Sequence, residues 1–421
     1  MLLVMMATVL IPWGIYVTMH PRFSNGGLSF EFDPQGINTV ANTAAHIVTD
    51  SFAHRIDEAR ASLDATMQMH GISLTEKARV PVLGPIVKNG FKPLWNKQHE
   101  GGDAIFALAC NYKIRYYQRF VGTLRQVGYT GDIVLGVSPL AKMAPGVAGY
   151  LQETNVTAYP FEVTCTKKDN CKFNDYVLGY PDPRPYRTFA NIRYALYEYW
   201  LNFYGPQSYI LILDFRDTFF QDHPFKPFGL PVASRTPKYE LHVFAENYKV
   251  KSIKKCVYNS LWVGRCFGKP ALEQLKDQAV LCSGSTLGSF QGIDHYVKTM
   301  LRSMDEVKCW LKGIESDQGY QNFLYYNGHF NTPTGNATFN HQGYGQVNTI
   351  GAMNGRRVPK EMKGPLDTFW HIRDAEGYII NYDGTRSAVV HQWDRYYSEI
   401  VNFLDKKLLK HLHLKGPGPR L

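Results

Sequence analysis

The chain has 421 residues, two to three times the roughly 100–200 of a usual domain, so it can bury a large core. With 44% hydrophobic and 19% charged residues, 27 Tyr and 24 Phe, it reads as an aromatic-rich globular protein, which excludes disordered, collagen-like and disulfide-dense miniature classes. Its 46 Lys+Arg against 36 Asp+Glu give a formal charge of +10 and favour anionic partners such as a membrane surface or a phosphate-bearing substrate. Nucleic acid is not expected, because no run of about five or six basic residues and no zinc-finger spacing occurs.

The predicted elements begin with Leu2 to Met19, which carry no charge and are long enough to enter a hydrocarbon core. Pro12 and Gly14 interrupt this stretch and the first firmly basic residue, Arg22, follows it, so residues 1–22 read as a signal anchor or a signal peptide. Residues 23–100 read as a stalk, with a helical pattern through Ile47, Phe52, Ile56, Leu63 and Met67. From 101 to 402 apolar strands alternate with helices. Strands are expected at Asp103–Cys110, Asp132–Val137, Val156–Val163, Tyr209–Asp214, Leu241–Ala245 and Val280–Cys282, with helices at Ile114–Val127 and about Arg187–Phe203. Continuous apolar strands joined by helices imply an α/β fold whose parallel sheet is covered on both faces, and such sheets bind ligands beyond the carboxyl ends of their strands. Residues 403–421 read as a basic helix fraying into a tail.

Two sequons, Asn155-Val-Thr157 and Asn336-Ala-Thr338, are acceptors if the chain reaches a secretory lumen, and seven Cys then become disulfide candidates. Cys165 with Cys171, and Cys256 with Cys266, could each close a short loop, whereas Cys110 and Cys282 fall in strand-like runs as small buried hydrophobes. An odd count leaves at least one thiol outside an internal pair.

The chemistry concentrates in Tyr209-Ile-Leu-Ile-Leu-Asp-Phe-Arg-Asp-Thr218. A buried strand delivers Asp214 and Asp217 to its carboxyl end, where hard cations such as Mg²⁺ or Mn²⁺ would find carboxylate and phosphate oxygens. Residues three apart on a straight strand face opposite ways, so both acids can meet one ion only if the chain bends after Asp214. In the alternative reading one acid caps a turn and the other pairs with Arg216.

This segment resembles the DxD signature of glycosyltransferases of the GT-A fold, and the resemblance extends over about residues 103–395. The helix carrying Phe189-Ala-Asn-Ile-Arg193, the strand and the acidic turn up to Pro224-Phe225 are similar in layout to family 8 and to uncharacterised plant and algal nucleotide-sugar transferases. Cys282-Ser-Gly-Ser-Thr-Leu-Gly288 resembles their small-residue strand and turn, Glu315-Ser-Asp-Gln318 their DQ motif, and Val389-Val-His-Gln392 their late metal-binding His. The chain offers DxxD where the family carries DxD.

The resemblance implies a GT-A-like, Rossmann-type, mostly parallel sheet and transfer of a sugar from a UDP- or GDP-sugar to a hydroxyl of a glycan or glycoprotein. It implies Asp214, Asp217 and His391 as ligands of Mn²⁺ or Mg²⁺, and Arg193, Arg216, Ser283, Gly284 and Gln318 beside the donor. Asp317, then Glu315, would be the base of an inverting reaction; in a retaining one, which family 8 suggests, Asp317 would position the sugar. A catalytically inactive sugar-binding or scaffold protein of the same fold is the rival reading. A phosphohydrolase of the haloacid dehalogenase type would need Asp where Arg216 stands. The leader and sequons lead to an expected place in the Golgi or endoplasmic reticulum lumen, as a type II membrane protein or a secreted one; oligomeric state is not legible.

Overall fold

A computed structural model describes residues 91–96, 102–166, 170–174, 184, 186–229, 232–307, 309, 316–353 and 372–410, together with four short strands near the start of the chain. Contacts divide the chain into two units, Met1–Val80 and Pro81–Leu421. In the first, β1 (Thr8–Leu10) pairs antiparallel with β2 (Tyr16–Thr18), and β3 (His20–Ser24) with β4 (Gly27–Glu31). Strands β1 and β2 fall within the Leu2–Met19 stretch, the rest of which lies outside the described residues, and no helix among the described residues is long and apolar enough to cross a membrane. The stalk helix at Ile47–Met67 lies outside the described residues.

The second unit is built on a seven-stranded sheet. Its strands are β5 (Ala104–Ala109), β6 (Asp132–Val137), β7 (Thr157–Pro160), β11 (Tyr209–Leu213), β13 (Leu241–Ala245), β14 (Leu281–Ser289) and β15 (Thr338–Asn340), in the order β15-β13-β14-β11-β5-β6-β7. Six strands run one way and β14 alone is antiparallel to its neighbours β11 and β13. The sheet is therefore mostly parallel, as expected, but β14 is longer than Val280–Cys282 and reversed. Its Ser and Gly residues carry weak strand propensity, and burial of all nine positions between two strands holds it extended.

Period-two alternation sends the two faces of β5 into two cores. Phe106 and Leu108 pack with α4 (Phe189–Leu201) and α7 (Phe290–Val307), whereas Ile105, Ala107 and Ala109 face the helical stretch α1 (Ile114–Tyr117), a π-helical turn (Gln118–Gly122) and α2 (Thr123–Gln126), and then α3 (Val147–Glu153). Ten of the thirteen residues of α4 are buried, because it is covered by the sheet on one side and α7 on the other. Full burial of each large side chain such as Trp200 or Tyr197 contributes roughly 2–3 kcal/mol. Asp103 joins the starts of two strands: it accepts the Tyr209 amide at 2.9 Å and a two-pronged Arg235 pair at 2.5 and 2.9 Å.

A three-stranded sheet adjoins the carboxyl ends of these strands, with β12 (Thr218–Phe220) antiparallel to β17 (Val389–His391), which is parallel to β16 (Val347–Thr349). The strand expected at Val156–Val163 divides into β7 and β8 (Val163–Cys165); β8, β9 (Asn170–Phe173) and β10 (Arg187–Thr188) form a separate sheet. Residues 91–96, read from sequence as stalk, lie on the sheet: the Leu94 amide donates to Ala158 O at 2.8 Å, and Phe91 is buried against Tyr159 and Tyr199. The expected tail also starts within the body. Past α9 (Tyr397–Phe403), Leu404 and Leu408 are buried and Asp405 takes Arg119 in two bonds of 3.1 and 3.0 Å. Residues 411–421 lie outside the described ones.

Disulfides join Cys165–Cys171, as one sequence pairing has it, and Cys266–Cys309. The second corrects the Cys256–Cys266 pairing: Cys256 is a buried free thiol that accepts from Asn259 Nδ2 at 3.2 Å. Cys110 and Cys282 are free, and burial pushes the Cys110 thiol far up.

Candidate metal centre

The acidic turn follows from the fate of one aromatic residue. After Leu213 the chain leaves the main sheet, and Phe215 turns into the core, 2% exposed, against Tyr112, Tyr117 and Phe120. Thr218 Oγ1 closes the turn on Asp214 O at 2.6 Å, and Thr218 then starts β12. With Phe215 inward, Asp214 and Asp217 come to the same side, which supplies the bend that the DxxD spacing requires.

The register of β12 against β17 sets His391 opposite Thr218, next to Asp217. One ligand atom each of Asp214, Asp217 and His391 lies within 4.8 Å of the others, and they are the three residues expected from sequence. His391 Nε2 stands 3.8 Å from Asp214 Oδ2 and 3.7 Å from Asp217 Oδ1, beyond hydrogen-bond reach of both. It is fully buried and has no hydrogen-bond partner. A buried imidazole nitrogen left unpaired between two carboxylates fits a divalent cation between them, since one ion bonded to all three would satisfy it. The alternative in which Asp217 pairs with Arg216 is not realised: Arg216 pairs with Asp394 at 2.7 Å.

Gly284 makes room for this group. Its carbonyl accepts the Asp214 amide at 2.8 Å, and a Cβ there would sit 2.7 Å from both Asp214 Cγ and His391 Cε1. On the other side of the ring, Cys282 Sγ lies 3.7 Å from His391 Nδ1, and Gln392 Nε2 is 3.4 Å from the same sulfur. Gln392 is one of few non-glycine residues with a left-handed backbone, φ 60°, which fixes the turn just after the imidazole.

Arg193 rises from α4 between two acids. It bonds Asp214 and Asp317, and its Nη2 donates to Ser283 O at 3.2 Å. Burial would lower the guanidinium, but Asp317 and Asp214 hold it well above its ordinary value. Burial likewise would raise Asp214, yet Arg193 and His391 hold its carboxyl below the usual range. The Asp214 side chain is 39% exposed, against 8% for Asp217, so the site opens towards solvent on the Asp214 side.

The remaining predicted residues divide. Asp317 opens α8 (Asp317–Tyr326), 3% exposed, and besides Arg193 it accepts the Gln318 amide at 2.8 Å. The Gln318 carbonyl accepts from Asn322 at 2.7 Å. Ser283 is buried and enters through its carbonyl, and Glu315 lies outside the described residues. Sequence reasoning missed Arg395, whose Nη1 is 3.6 Å from Asp217 Oδ2, and Asp394, which holds both Arg395 and Arg216. It also missed Tyr112, which stacks on Phe215 and whose phenol is raised by burial beside Arg216, Asp214 and Asp217. Arg395 was legible as the fourth residue after His391; Tyr112 had no signal of its own.

The sheet with one reversed strand and an acidic turn at the carboxyl end of β11 has the layout implied by the resemblance to GT-A glycosyltransferases. No family model and no curated protein matches the chain. Among solved structures, the galactosyltransferase LgtC in complex with donor and acceptor sugar analogs is similar, with 13% identity and a TM-score of 0.35 over 68% of this chain and 86% of that one. The glycosyltransferase GlyE of Streptococcus pneumoniae TIGR4 has 14% identity and a TM-score of 0.36 over 76% and 66%, and the bifunctional WbbM 8% and 0.40 over 76% and 53%. Similarity at this level is one of layout, and the site geometry alone carries the functional reading.

Proposed function

We propose that the protein transfers a sugar from a nucleoside diphosphate donor to an acceptor hydroxyl, assisted by a divalent metal. The observation that carries this reading is the Asp214, Asp217 and His391 cluster with its unpaired buried imidazole nitrogen at the carboxyl end of a central strand. Those three residues would hold Mn²⁺ or Mg²⁺, and a bound cation supplies neutralisation of the charge that grows on a leaving diphosphate. Arg193 orients Asp214 from behind while staying bonded to Asp317. Arg216, half exposed beside the acids, presents a planar fork of donors suited to phosphate.

The surroundings of Asp317 favour retention of configuration. A general base needs a free carboxylate oxygen facing the acceptor, and the Asp317 carboxylate is buried and committed to Arg193 and the Gln318 amide. In this reading it positions Arg193 and thereby the donor.

The proposed compartment is the Golgi or endoplasmic reticulum lumen. Both sequon asparagines, Asn155 and Asn336, are exposed, and two disulfides suit an oxidising compartment. Endoglycosidase shifts on the expressed protein would support it; unglycosylated chain recovered from cytosol would count against it.

The test is a panel of nucleotide sugars with the full chain, with and without Mn²⁺. Metal-dependent donor binding with turnover is expected, and Asp217→Ala should abolish the binding while the chain still melts cooperatively, because Asp217 stands on a turn and not among the apolar side chains of the core. Metal-dependent binding without hydrolysis or transfer would identify a sugar-binding scaffold instead, and wild-type metal affinity in Asp217→Ala would remove that residue from the site.

A further inference from the structure

The sheet edge that carries the metal cluster holds a second group of side chains that the proposed transfer does not use. Strands β11 and β13 both run antiparallel to β14, so β13 ends at Ala245 on the edge where Asp214 leaves β11. Strand β15 is parallel to β13 and ends there too. The loops that follow present Tyr248 and Tyr344, 53% and 51% exposed. His341 lies between them, its ring 5.8 Å from Tyr248 and 6.4 Å from Tyr344, and Tyr344 stacks on Tyr382 at 5.3 Å and 17°.

These rings are exposed but their backbones are fixed. Tyr344 sits between Gly343 and Gly345, both left-handed at φ 77° and 79°, and a Cβ at Gly343 would lie 2.6 Å from Tyr382 Cε2. Gln342 is buried, accepts from Asn247 at 3.1 Å and donates to Asn348 at 2.6 Å. Asn348 donates to Ser387 at 3.0 Å, and Ser387 to Asn381 at 2.7 Å. One buried chain of satisfied hydrogen bonds thus runs under Tyr248, Tyr344 and Tyr382, each of which directly follows or lies within two residues of a member. It reaches the metal centre as well, because Thr349, next to Asn348, pairs with His391 across β16 and β17.

We propose that this strip is an oligosaccharide subsite that holds the acceptor chain, an inference that rests on the sugar-transfer reading of the metal centre. The face of a Tyr ring is electronegative and attracts the C–H groups on the flat side of a pyranose, while its hydroxyl and the neighbouring imidazole meet sugar hydroxyls at the rim. Among the described residues, the exposed large apolar side chains of the strip are tyrosines, with no exposed Leu, Ile, Val or Phe among them, which suits a sugar better than a lipid or a protein core. Rigid mounting lowers the entropy lost on binding. Ala245 pairs with Leu281 and Asp214 bonds Gly284, so the ends of β13 and β11 are three residues apart along the strands and two strand spacings across, about 14 Å in all. An acceptor that spanned these two strand ends would be a chain of several sugars and not a monosaccharide.

The experiment is an array of neutral oligosaccharides of one to six residues probed with the full chain without metal or nucleotide, followed by titration of the tightest binder. Affinity is expected to rise with length, to fall at least tenfold in the double variant Tyr248→Ala, Tyr344→Ala, and to survive in Tyr344→Phe. Mn²⁺ affinity, measured alongside, should be unchanged in all of them. No oligosaccharide binding, or binding that the double variant retains, would overturn the subsite; so would a loss confined to UDP or GDP, which would make the strip a platform for a nucleotide base. Asp217→Ala keeping oligosaccharide affinity while losing Mn²⁺ separates this site from the metal centre, so that failure of the subsite and failure of the transferase reading are told apart.

Discussion

Adding a single methyl group at Gly284 isolates the metal geometry from the acids themselves. In Gly284→Ala the new Cβ lies 2.7 Å from Asp214 Cγ and from His391 Cε1, and ordinary carbon contacts begin near 3.5 Å, so about 0.8 Å must be found. The imidazole is fully buried and Asp214 is held by Arg193, so neither can swing clear without breaking a contact. Metal ligands tolerate displacements of only about 0.2 Å, a quarter of what is needed. Overpacking of this kind costs roughly 1–3 kcal/mol. Taken from metal affinity, that is a weakening of about 5- to 150-fold. Titration with Mn²⁺, followed calorimetrically and by electron paramagnetic resonance, reads this directly, with a melting curve to establish folding. Ser285→Ala, one residue further along β14, removes an atom instead of adding one and should bind as wild type. Wild-type Mn²⁺ affinity in Gly284→Ala would mean that no ion sits between Asp214 and His391.

Three further outcomes are expected. Arg193→Met leaves Asp317 charged and buried without its partner and should lower unfolding free energy by about 3–5 kcal/mol in denaturant titration; a loss under about 1 kcal/mol would contradict a structural role for the pair. Burial pushes Glu198 on α4 from its ordinary value near 4.5 up to about 7, with Oε2 unpartnered, so between those values the folded chain binds the proton more tightly than the unfolded one. Stability of wild type relative to Glu198→Gln should therefore fall as pH rises from about 4.5 to 7, by at most about 3 kcal/mol, and a pH-independent difference would refute the assignment. Peptide mapping without reduction should recover Cys165 linked to Cys171 and Cys266 linked to Cys309, with Cys256 alkylated only after unfolding; a Cys256–Cys266 peptide would contradict this arrangement.

The positions of several strands and the three metal-binding candidates were legible because each depends on local signals: apolar runs mark β5, β6, β11 and β13, and an acid follows the last apolar residue of β11. The direction of β14 was not, since strand propensity says nothing about orientation and Ser283 to Ser289 look like a loop until two neighbours bury them. Distance along the chain hid the rest. Arg193 and Asp317 are 124 residues apart, and Cys266 and Cys309 are 43 apart, so no spacing rule joins them. Within Leu2–Met19, the uncharged stretch read as long enough to enter a membrane, the described residues are one short pair of strands, β1 and β2. Glu315 and the Ile47–Met67 pattern lie outside the described residues.

The left-handed backbone of Gln392 narrows what can stand beside the imidazole. A β-branched residue there would clash with its own carbonyl, and Gly would free the peptide to rotate and let His391 wander. Asn is the natural substitute for such a backbone, but its shorter side chain would forfeit the reach to Cys282. A position with no bond to an acid of the centre thus helps to hold its imidazole in place.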